Sequence, residues 1–264
     1  MAHYYEELDD SIATRHEVVN AAASKREGRE ILRPSNVKDY RKWIKDGRRV
    51  YPSVTTINSH ITNSRGLVVW EVDEHLTQAY KIDPKKYKTP EEYIEVVRDF
   101  TAPELDKAKT VGTDYHKKLE LLANGELPED DEDFALCEKA FNLAKEITGA
   151  SNFLAERLFV YKDDDAPSGY GGSVDLVVRN KYVLDYKTKM SKKSYDRMTK
   201  PYPEQLMQLA AYCNAVLHDS WKAALIIVCI ETGECKSIEV PEVDLRKAYL
   251  RFTCAQAIWE LDNA

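Results

Sequence analysis

Hydrophobic residues recur at helical spacing through the first half of the chain. From residue 53 to residue 148 the apolar positions repeat every three or four residues, a period typical of amphipathic helices. The pattern predicts helices over 53–61 with Ser53 as the cap, over 66–80, from Pro90, from Pro103 to about Gly125, and over 133–148. Ahead of them, we expect one helix over residues 4–24 and an irregular basic segment over 25–49.

The period changes to that of strands after residue 150. Short β-rich runs at 152–161, 172–179 and 181–186 precede an amphipathic helix over 203–217, a hairpin of strands 223–230 and 235–240, and a closing helix over 243–261. Three consecutive strands imply a meander, and the helix that follows must pack across one sheet face. The sequence therefore predicts an α/β fold. A mixed-sheet core over 151–264 is flanked by helices, with a helical N-terminal subdomain over 51–150 and an N-terminal extension over 1–50.

Composition indicates a soluble globular protein. Hydrophobic residues make up 43% of the chain and charged residues 31%, and neither a membrane-spanning run nor a signal sequence is visible, so we expect an intracellular protein with no membrane partner. The five cysteines are too widely spaced for a zinc ribbon, a disulfide framework or the tight late cluster of an iron–sulfur site. The net charge of −7 argues against non-specific coating of DNA, although a local basic groove remains compatible with it.

Two aspartates and a lysine are the leading candidates for chemistry. Asp175 ends the run that begins with Gly171-Gly172, and Asp185 follows ten residues later with Lys187 two residues beyond it. If these runs are neighbouring strands, the carboxylates lie close together, and Asp185 and Lys187 share a strand face because side chains alternate. Clustered carboxylates repel, and a divalent cation removes that penalty; oxygen ligands favour Mg²⁺ or Mn²⁺. The amine beside the metal would orient or deprotonate an attacking water, or stabilise charge at phosphorus.

The same short pattern, an acid two residues before a lysine, occurs elsewhere in the chain. Asp83-Pro84-Lys85 contains a proline, which favours a loop over a central strand. Glu234-Cys235-Lys236 sits at a tight hairpin with no acidic strand ahead of it. Only the tripeptide at Asp185 follows an apolar strand and an upstream acid at hairpin distance, so we interpret the pattern as functional only there.

A histidine on a predicted helix is a candidate nitrogen ligand. His116 lies four residues after Gly112, so the two share one helix face, and the glycine would allow close approach to a neighbouring element. Glu120, one turn further on, would orient the histidine or pair with Lys117. A lone histidine on an amphipathic helix is more often an ordinary surface or interface residue.

Polar residues on the later helix and on the first strand are further candidates. Gln208 and Tyr212 would face a phosphate or brace the lysine; otherwise they form, with Gln205, the polar edge of the helix over 203–217. Glu156 is either a solvent-facing strand residue or a contact to the lysine or to a second metal ion.

The segment over 188–202 is rich in basic and aromatic residues. They are Lys189, Lys192, Lys193, Tyr195, Arg197, Lys200 and Tyr202. Such a run is most often a solvated loop, but basic groups can follow a phosphate backbone and tyrosine rings can stack on bases. Its place directly after the candidate catalytic lysine favours a nucleic-acid interface.

Four motifs in this order resemble the RecB-like branch of the PD-(D/E)xK nuclease superfamily. They are Gly112-x-x-x-His116, Gly171-Gly172-Ser173-Val174-Asp175, Asp185-Tyr186-Lys187-Thr188 and Gln208-x-x-x-Tyr212. Upstream, the run from Tyr51 to Ile57 (YPSVTTI), followed by Trp70, resembles the mitochondrial genome maintenance exonuclease type and its phage relatives. The resemblance covers roughly residues 51–212. The first 50 residues have no counterpart, and Val174 stands where the superfamily name has proline.

The resemblance implies a restriction-endonuclease-like core with one or two Mg²⁺ or Mn²⁺ ions. It also implies hydrolysis of phosphodiester bonds at DNA ends, often single-stranded, during replication, recombination or repair in a bacterial or phage-infected cell. The residues it implies are His116, Asp175, Asp185 and the Tyr186 carbonyl as metal ligands, Lys187 as the catalytic lysine, Gln208 and Tyr212 in support, and Glu156 in a loosely aligned position. Two alternatives remain open: a catalytically silent DNA-binding or assembly module, and a CRISPR-adaptation-type nuclease, which the cysteine pattern disfavours.

Overall fold

The computed structural model describes residues 4–7, 16–17, 42–47, 49–61, 65–162, 169–217 and 220–263. The strands in chain order are β1 (Tyr4–Glu7), β2 (His16–Glu17), β3 (Val50–Pro52), β4 (Leu154–Lys162), β5 (Gly169–Val178), β6 (Tyr182–Lys189), β7 (Ala223–Cys229) and β8 (Cys235–Val240). The helices are α1 (Val54–Ile61), α2 (Arg65–Lys81), α3 (Pro90–Ala123), α4 (Phe134–Thr148), α5 (Lys192–Arg197), α6 (Pro203–Val216) and α7 (Glu242–Asn263).

The core is a five-stranded mixed sheet with the order β4-β5-β6-β7-β8. Strands β4, β5 and β6 form the predicted antiparallel meander, β7 lies parallel to β6, and β8 returns antiparallel to β7. A parallel neighbour requires a crossover, and α5 and α6 supply it. The mixed sheet flanked by helices that the sequence predicted is therefore confirmed, as are the hairpin of β7 and β8 and the closing helix.

Helices cover both faces of this sheet. On one face α1, α6 and α7 enclose a core that includes Leu225 and Ile227 of β7; on the other, α3 and α4 enclose one that includes Ala224 and Ile226. Since β7 is buried on both faces, its sequence is apolar throughout, as is usual beside a parallel neighbour. Of the helices predicted over 51–150, α1, α3 and α4 thus pack on the sheet and α2 packs on α3. The boundaries at residues 50 and 150 stay predictions.

The predicted helices of the first half are present with one difference. Ser53 caps α1, as predicted, by accepting a hydrogen bond from the Thr56 backbone N–H at 3.0 Å. The predicted helix start at Pro103 is wrong, because α3 continues through it. An internal proline costs about 3 kcal/mol, and contacts on both sides offset that: Tyr93 donates to the Ala79 carbonyl of α2, and Leu119 is buried beside α4. No helix of the described residues is long and apolar enough to cross a membrane.

The N-terminal region differs from its prediction. The helix expected over 4–24 is wrong where the structure describes that region, because β1 and β2 are strands of a small sheet with the order β2-β1-β3. Tyr5 of β1 lies opposite Tyr51 of β3, a partner far away along the chain, so local spacing could not reveal the pairing. The remaining residues of that predicted helix lie outside the described residues. So do most of 25–49, in which residues 42–45 form a helical turn.

Candidate active site

The candidate site lies where β5 and β6 diverge. Their ladder has three residue pairs, from Val178 with Tyr182 to Leu176 with Leu184, and then stops. Asp175 and Asp185 are the next residues along each strand, so the predicted juxtaposition of the two aspartates at one end of the sheet is what the register produces. The backbone N–H of Tyr186 donates to Asp175 Oδ2 at 2.7 Å instead of to a strand carbonyl.

Lys187 and Asp185 form an ion pair on the same face of β6. The Lys187 Nζ lies 2.5 Å from Asp185 Oδ2, and Asp185 is only 2% exposed. Burial would lower the pKa of Lys187, but Asp185 and Asp175 outweigh it and hold the pKa above its usual value. Burial raises the pKa of Asp185 above its usual value; the charge of Lys187 opposes this and that of Asp175 adds to it. The amine is therefore a charged group at neutral pH.

His116 reaches the site from α3. Its Nδ1 lies 3.3 Å from Asp175 Oδ2. Burial would lower the pKa of His116, but the nearby Asp175 carboxylate raises it overall, and the pKa of Asp175 falls in turn although burial opposes this. Gly112 permits the approach as predicted, since a Cβ there would lie 3.1 Å from Thr188 Oγ1 on β6. Glu120 is half-buried one turn along the helix.

Glu156 of β4 lies opposite Asp175 of β5 in an unusual backbone conformation. Ala155 pairs with Leu176 and Arg157 with Val174, so Glu156 is opposite Asp175. Its φ of 45° is in the left-handed region, which for a non-glycine residue stores roughly 1–3 kcal/mol of strain and is frequent at functional sites. The Ser173 hydroxyl donates to Glu156 Oε2 at 2.6 Å. A carboxylate oxygen of Glu156 lies within 4.8 Å of one of Asp175.

Ser173 is a site residue that the sequence reasoning missed. It stands two residues before Asp175 in a strand, and side chains two apart share a face. That alternation was a usable signal once Asp175 had been identified as a site residue.

The donor groups fit a hard divalent cation. Ligand atoms of His116, Glu156 and Asp175 all lie within 4.8 Å of one another, which makes them a group able to hold one ion among the described residues. One imidazole nitrogen and carboxylate oxygens suit Mn²⁺ or Mg²⁺. Without an ion, these carboxylates and the nearby buried Asp185 are like charges in a poorly hydrated site.

Gln208 and Tyr212 of α6 lie beside this group. The Gln208 Nε2 donates to the Tyr212 hydroxyl at 2.8 Å, and the ring of Tyr212 is almost fully buried. Burial raises the pKa of Tyr212 well above its usual value, with contributions from Asp185 and Asp175. Gln205 has another role: its Oε1 accepts from the Tyr202 backbone N–H at 2.9 Å, which caps the start of α6.

The basic segment predicted as a loop is partly helical. Ser191 caps α5 by accepting from the Ser194 N–H. Lys192 is engaged by Asp196 at 2.7 Å and by Glu234 at 2.9 Å. Tyr195 is 6% exposed and the Lys236 amine lies 4.2 Å from its ring centroid, so that ring is covered in this conformation.

Other members of the segment are accessible. Lys189 continues the row of Asp185 and Lys187 along β6, and its amine lies 5.6 Å from the ring centroid of Tyr202, which is 38% exposed. Burial, reinforced by the charge of Lys187, lowers the pKa of Lys189. Exposed basic side chains nearby are those of Lys193, Arg197 and Lys200.

The two other tripeptides lie at a turn and at a hairpin. Asp83 caps a 3-10 turn (Pro84–Lys86) by accepting from the Lys85 backbone N–H at 3.0 Å. Glu234 and Lys236 belong to the β7–β8 hairpin, where Lys236 donates to the Tyr195 carbonyl. The interpretation that only the tripeptide at Asp185 is functional stays a prediction.

Comparison with known proteins finds distant structural similarity. No family model and no curated protein matches the chain. Among solved structures, the alkaline exonuclease LHK-Exo from Laribacter hongkongensis is similar at 12% identity, with 81% of this chain and 89% of that chain covered and a TM-score of 0.40. The crystal structure of SSO0001 is similar at 18% identity over 48% of this chain, with a TM-score of 0.28, and this chain spans 61% of its length. Similarities at this level do not identify a substrate or a reaction.

Proposed function

We propose that the chain is a divalent-metal-dependent deoxyribonuclease that hydrolyses phosphodiester bonds from DNA ends. The observation that carries the proposal is the convergence of Asp175, Asp185 and Lys187 where β5 and β6 separate, with His116 and Glu156 beside them. Buried carboxylates of like charge with a neighbouring ammonium group are an expensive arrangement, which suits cation binding and phosphoryl chemistry.

The metal would be held by His116, Asp175, Asp185 and the Tyr186 carbonyl, with Glu156 completing this group or contacting a second ion. When bound, Mg²⁺ or Mn²⁺ supplies Lewis-acid polarisation of the phosphate and an activated water. His116 would have to be neutral to act as a ligand, whereas the Asp175 carboxylate favours the protonated ring, so metal binding would compete with protonation of His116.

Lys187 would act as an electrostatic group. Because Asp185 and Asp175 keep its amine charged, it is a poor base, and it can donate hydrogen bonds to an attacking water or to a phosphate oxygen. Tyr212 accepts a hydrogen bond from Gln208, which leaves its own proton for a second acceptor such as a non-bridging oxygen. Both side chains would stabilise negative charge that grows at phosphorus.

Lys187 and Lys189, which lie on the same face of β6, would guide the DNA strand away from the site. Lys189 and the exposed Tyr202 would contact the nucleotide next to the scissile phosphate, and Lys193, Arg197 and Lys200 would contact phosphates further along. Single-stranded ends are the substrate that the sequence resemblance favours, and replication, recombination or repair is the setting, with proteins of those processes as possible partners.

The test is incubation with end-labelled single- and double-stranded DNA in the presence of Mg²⁺, Mn²⁺ or chelator. We expect metal-dependent release of nucleotides from single-stranded ends, and Lys187→Ala should reduce the rate by about 10²–10³-fold. Lys85→Ala is a matched control, because Lys85 belongs to a tripeptide of the same pattern but is exposed on a turn. It should leave the rate within twofold of wild type.

Two outcomes would contradict the proposal. DNA that stays intact with either ion, while the protein still binds it, would identify a catalytically silent DNA-binding module. Cleavage that proceeds equally well in Lys187→Ala would place the chemistry elsewhere in the molecule.

A further inference from the structure

The N-terminal sheet occupies the space beside β5 that β6 leaves when the strands diverge. Strand β6 pairs with β5 only along residues 176–178 of β5. Further toward the start of β5, Ser53, directly after β3, bridges to Gly171, and β3 pairs in turn with β1. The small sheet therefore reaches the same opening of the main sheet in which Asp175 lies.

Two tyrosines of the small sheet cover glycines of β5. Tyr5 and Tyr51 are cross-strand partners, and each is half-buried. A Cβ on Gly171 would lie 2.7 Å from the Cβ of Tyr5, and one on Gly169 would lie 2.7 Å from the Cδ1 of Tyr51. Each glycine thus permits a contact between strand backbone and tyrosine side chain that any larger residue would prevent.

Tyr212 of the candidate site contacts β5 at the position next to the one that Tyr5 covers. Gly172, the next residue of β5, faces the Tyr212 ring, because a Cβ there would lie 2.9 Å from Tyr212 Cε1. Tyr5 also adds to the raised pKa of Tyr212, whose main cause is burial, so Tyr5 and Tyr212 are electrostatic neighbours. The two tyrosines clamp consecutive backbone positions that lie roughly 10–13 Å before Asp175 at the rise of a strand.

We propose that Tyr5 is a positioning residue of the hydrolytic site. Its ring fixes the Gly171-Gly172 backbone, which in turn sets the place of the Tyr212 ring and the approach of β5 to Asp175. The inference rests on the proposed function, since positioning has meaning only for a site that reacts. Strand β1, which has no counterpart in the resemblance, then belongs to the active site.

The test compares Tyr5→Ala with Tyr51→Ala, the matched change at the cross-strand partner. Both variants lose one ring–glycine contact, but only Tyr5 adjoins Tyr212, so Tyr5→Ala should lower kcat by about tenfold to 100-fold with KM within twofold. Tyr51→Ala should lower the melting temperature by about as much as Tyr5→Ala does, while its kcat stays within twofold of wild type. Tyr5→Phe keeps the ring and should restore kcat.

A second readout does not depend on catalysis. Amide hydrogen exchange of residues 171–176 should quicken in Tyr5→Ala, recover in Tyr5→Phe, and change little in Tyr51→Ala, whether or not the wild type cleaves DNA. Equal losses of kcat in the two alanine variants would show a purely structural role and overturn the proposal. Unchanged exchange at 171–176 in Tyr5→Ala would overturn it too. A wild type without metal-dependent cleavage would refute the proposed function, and the exchange of residues 171–176 would then still show whether Tyr5 fixes this part of β5.

Discussion

The two ends of the β5–β6 pair have opposite chemistry. At the closed end, Leu176, Val177 and Val178 are paired in the ladder and fully buried in apolar surroundings. At the open end, one residue beyond the last pair, Asp175 and Asp185 place carboxylates in a poorly hydrated position. In the same two strands, an apolar paired segment is thus followed directly by a charged site.

The difference shows why the charged groups lie where pairing stops. A strand N–H within a ladder is bonded to a neighbouring carbonyl, whereas the Tyr186 N–H, beyond the ladder, donates to Asp175. His116 of α3 also reaches Asp175 at the point where the two strands diverge. The closed end holds the strands in register, and the open end provides the donors and the space that a cation needs.

The largest effect should follow from neutralising the open end. Asp175→Asn keeps an acceptor for the Tyr186 N–H but removes the charge that His116 and a metal ion require, so cleavage should fall by about 10²–10³-fold. Single-turnover assays with saturating Mn²⁺ would measure this, and circular dichroism would check that the fold is retained. Near-normal cleavage by a folded Asp175→Asn would remove this residue from the site.

The closed end should respond in stability instead. Leu184 is fully buried opposite Leu176, and Leu184→Ala should lower the free energy of unfolding by about 2–5 kcal/mol, as measured by urea denaturation. The rate of cleavage per folded molecule should stay within twofold at a temperature where the variant is folded. A large loss of rate would mean that the two ends are not separable.

A smaller effect on metal affinity is expected at Ser173. Ser173→Ala removes the hydrogen bond to Glu156 Oε2, which orients a candidate ligand, and Mn²⁺ affinity should fall by about 10–100-fold. Calorimetric titration of the DNA-free protein measures this directly. Ser194→Ala, which removes a hydroxyl of the exposed helix α5, serves as the control. Unchanged Mn²⁺ affinity in Ser173→Ala would argue that Glu156 is not a ligand.

The smallest effect should come from the contact between α3 and β6. Gly112→Ala gains roughly 1 kcal/mol of helix propensity but brings a methyl group to 3.1 Å from Thr188 Oγ1, so stability should change little. The helix must shift slightly and carry His116 with it, which we expect to lower cleavage severalfold. Adding Thr188→Ala should recover part of that loss; if the double variant is no better, displacement of α3 is not the cause.

What the sequence could predict depended on how far apart the interacting residues are in the chain. Asp175, Asp185 and Lys187 lie within a single hairpin, so strand alternation and turn position were sufficient to bring them together. The pairing of β1 with β3 joins residues more than forty positions apart, and Tyr5 carried no local signal. The ring of Tyr195 is covered by Lys236 of β8, which is forty-one residues further along the chain. Its covering therefore could not be predicted from the local sequence, which suggested an exposed ring.

The metal-ligand prediction shows the same dependence in a finer form. His116 and Asp175 could be named because each belongs to a short motif, and the structure brings them to 3.3 Å. Glu156 of β4 is grouped with them because it lies opposite Asp175 of β5. A sequence pattern can suggest that position only after the strand register is known. The assignments of Asp185 and the Tyr186 carbonyl as metal ligands stay predictions.

The left-handed backbone at Glu156 has a consequence for attempts to make this protein more robust. Glycine or asparagine adopts that conformation with less strain than glutamate does, so selection for heat resistance alone would favour Glu156→Gly or Glu156→Asn. Each of these replacements removes a carboxylate from the group beside Asp175. If the proposed function holds, a more heat-resistant variant obtained in this way would keep its fold and lose metal affinity, an instance of the trade-off between stability and activity.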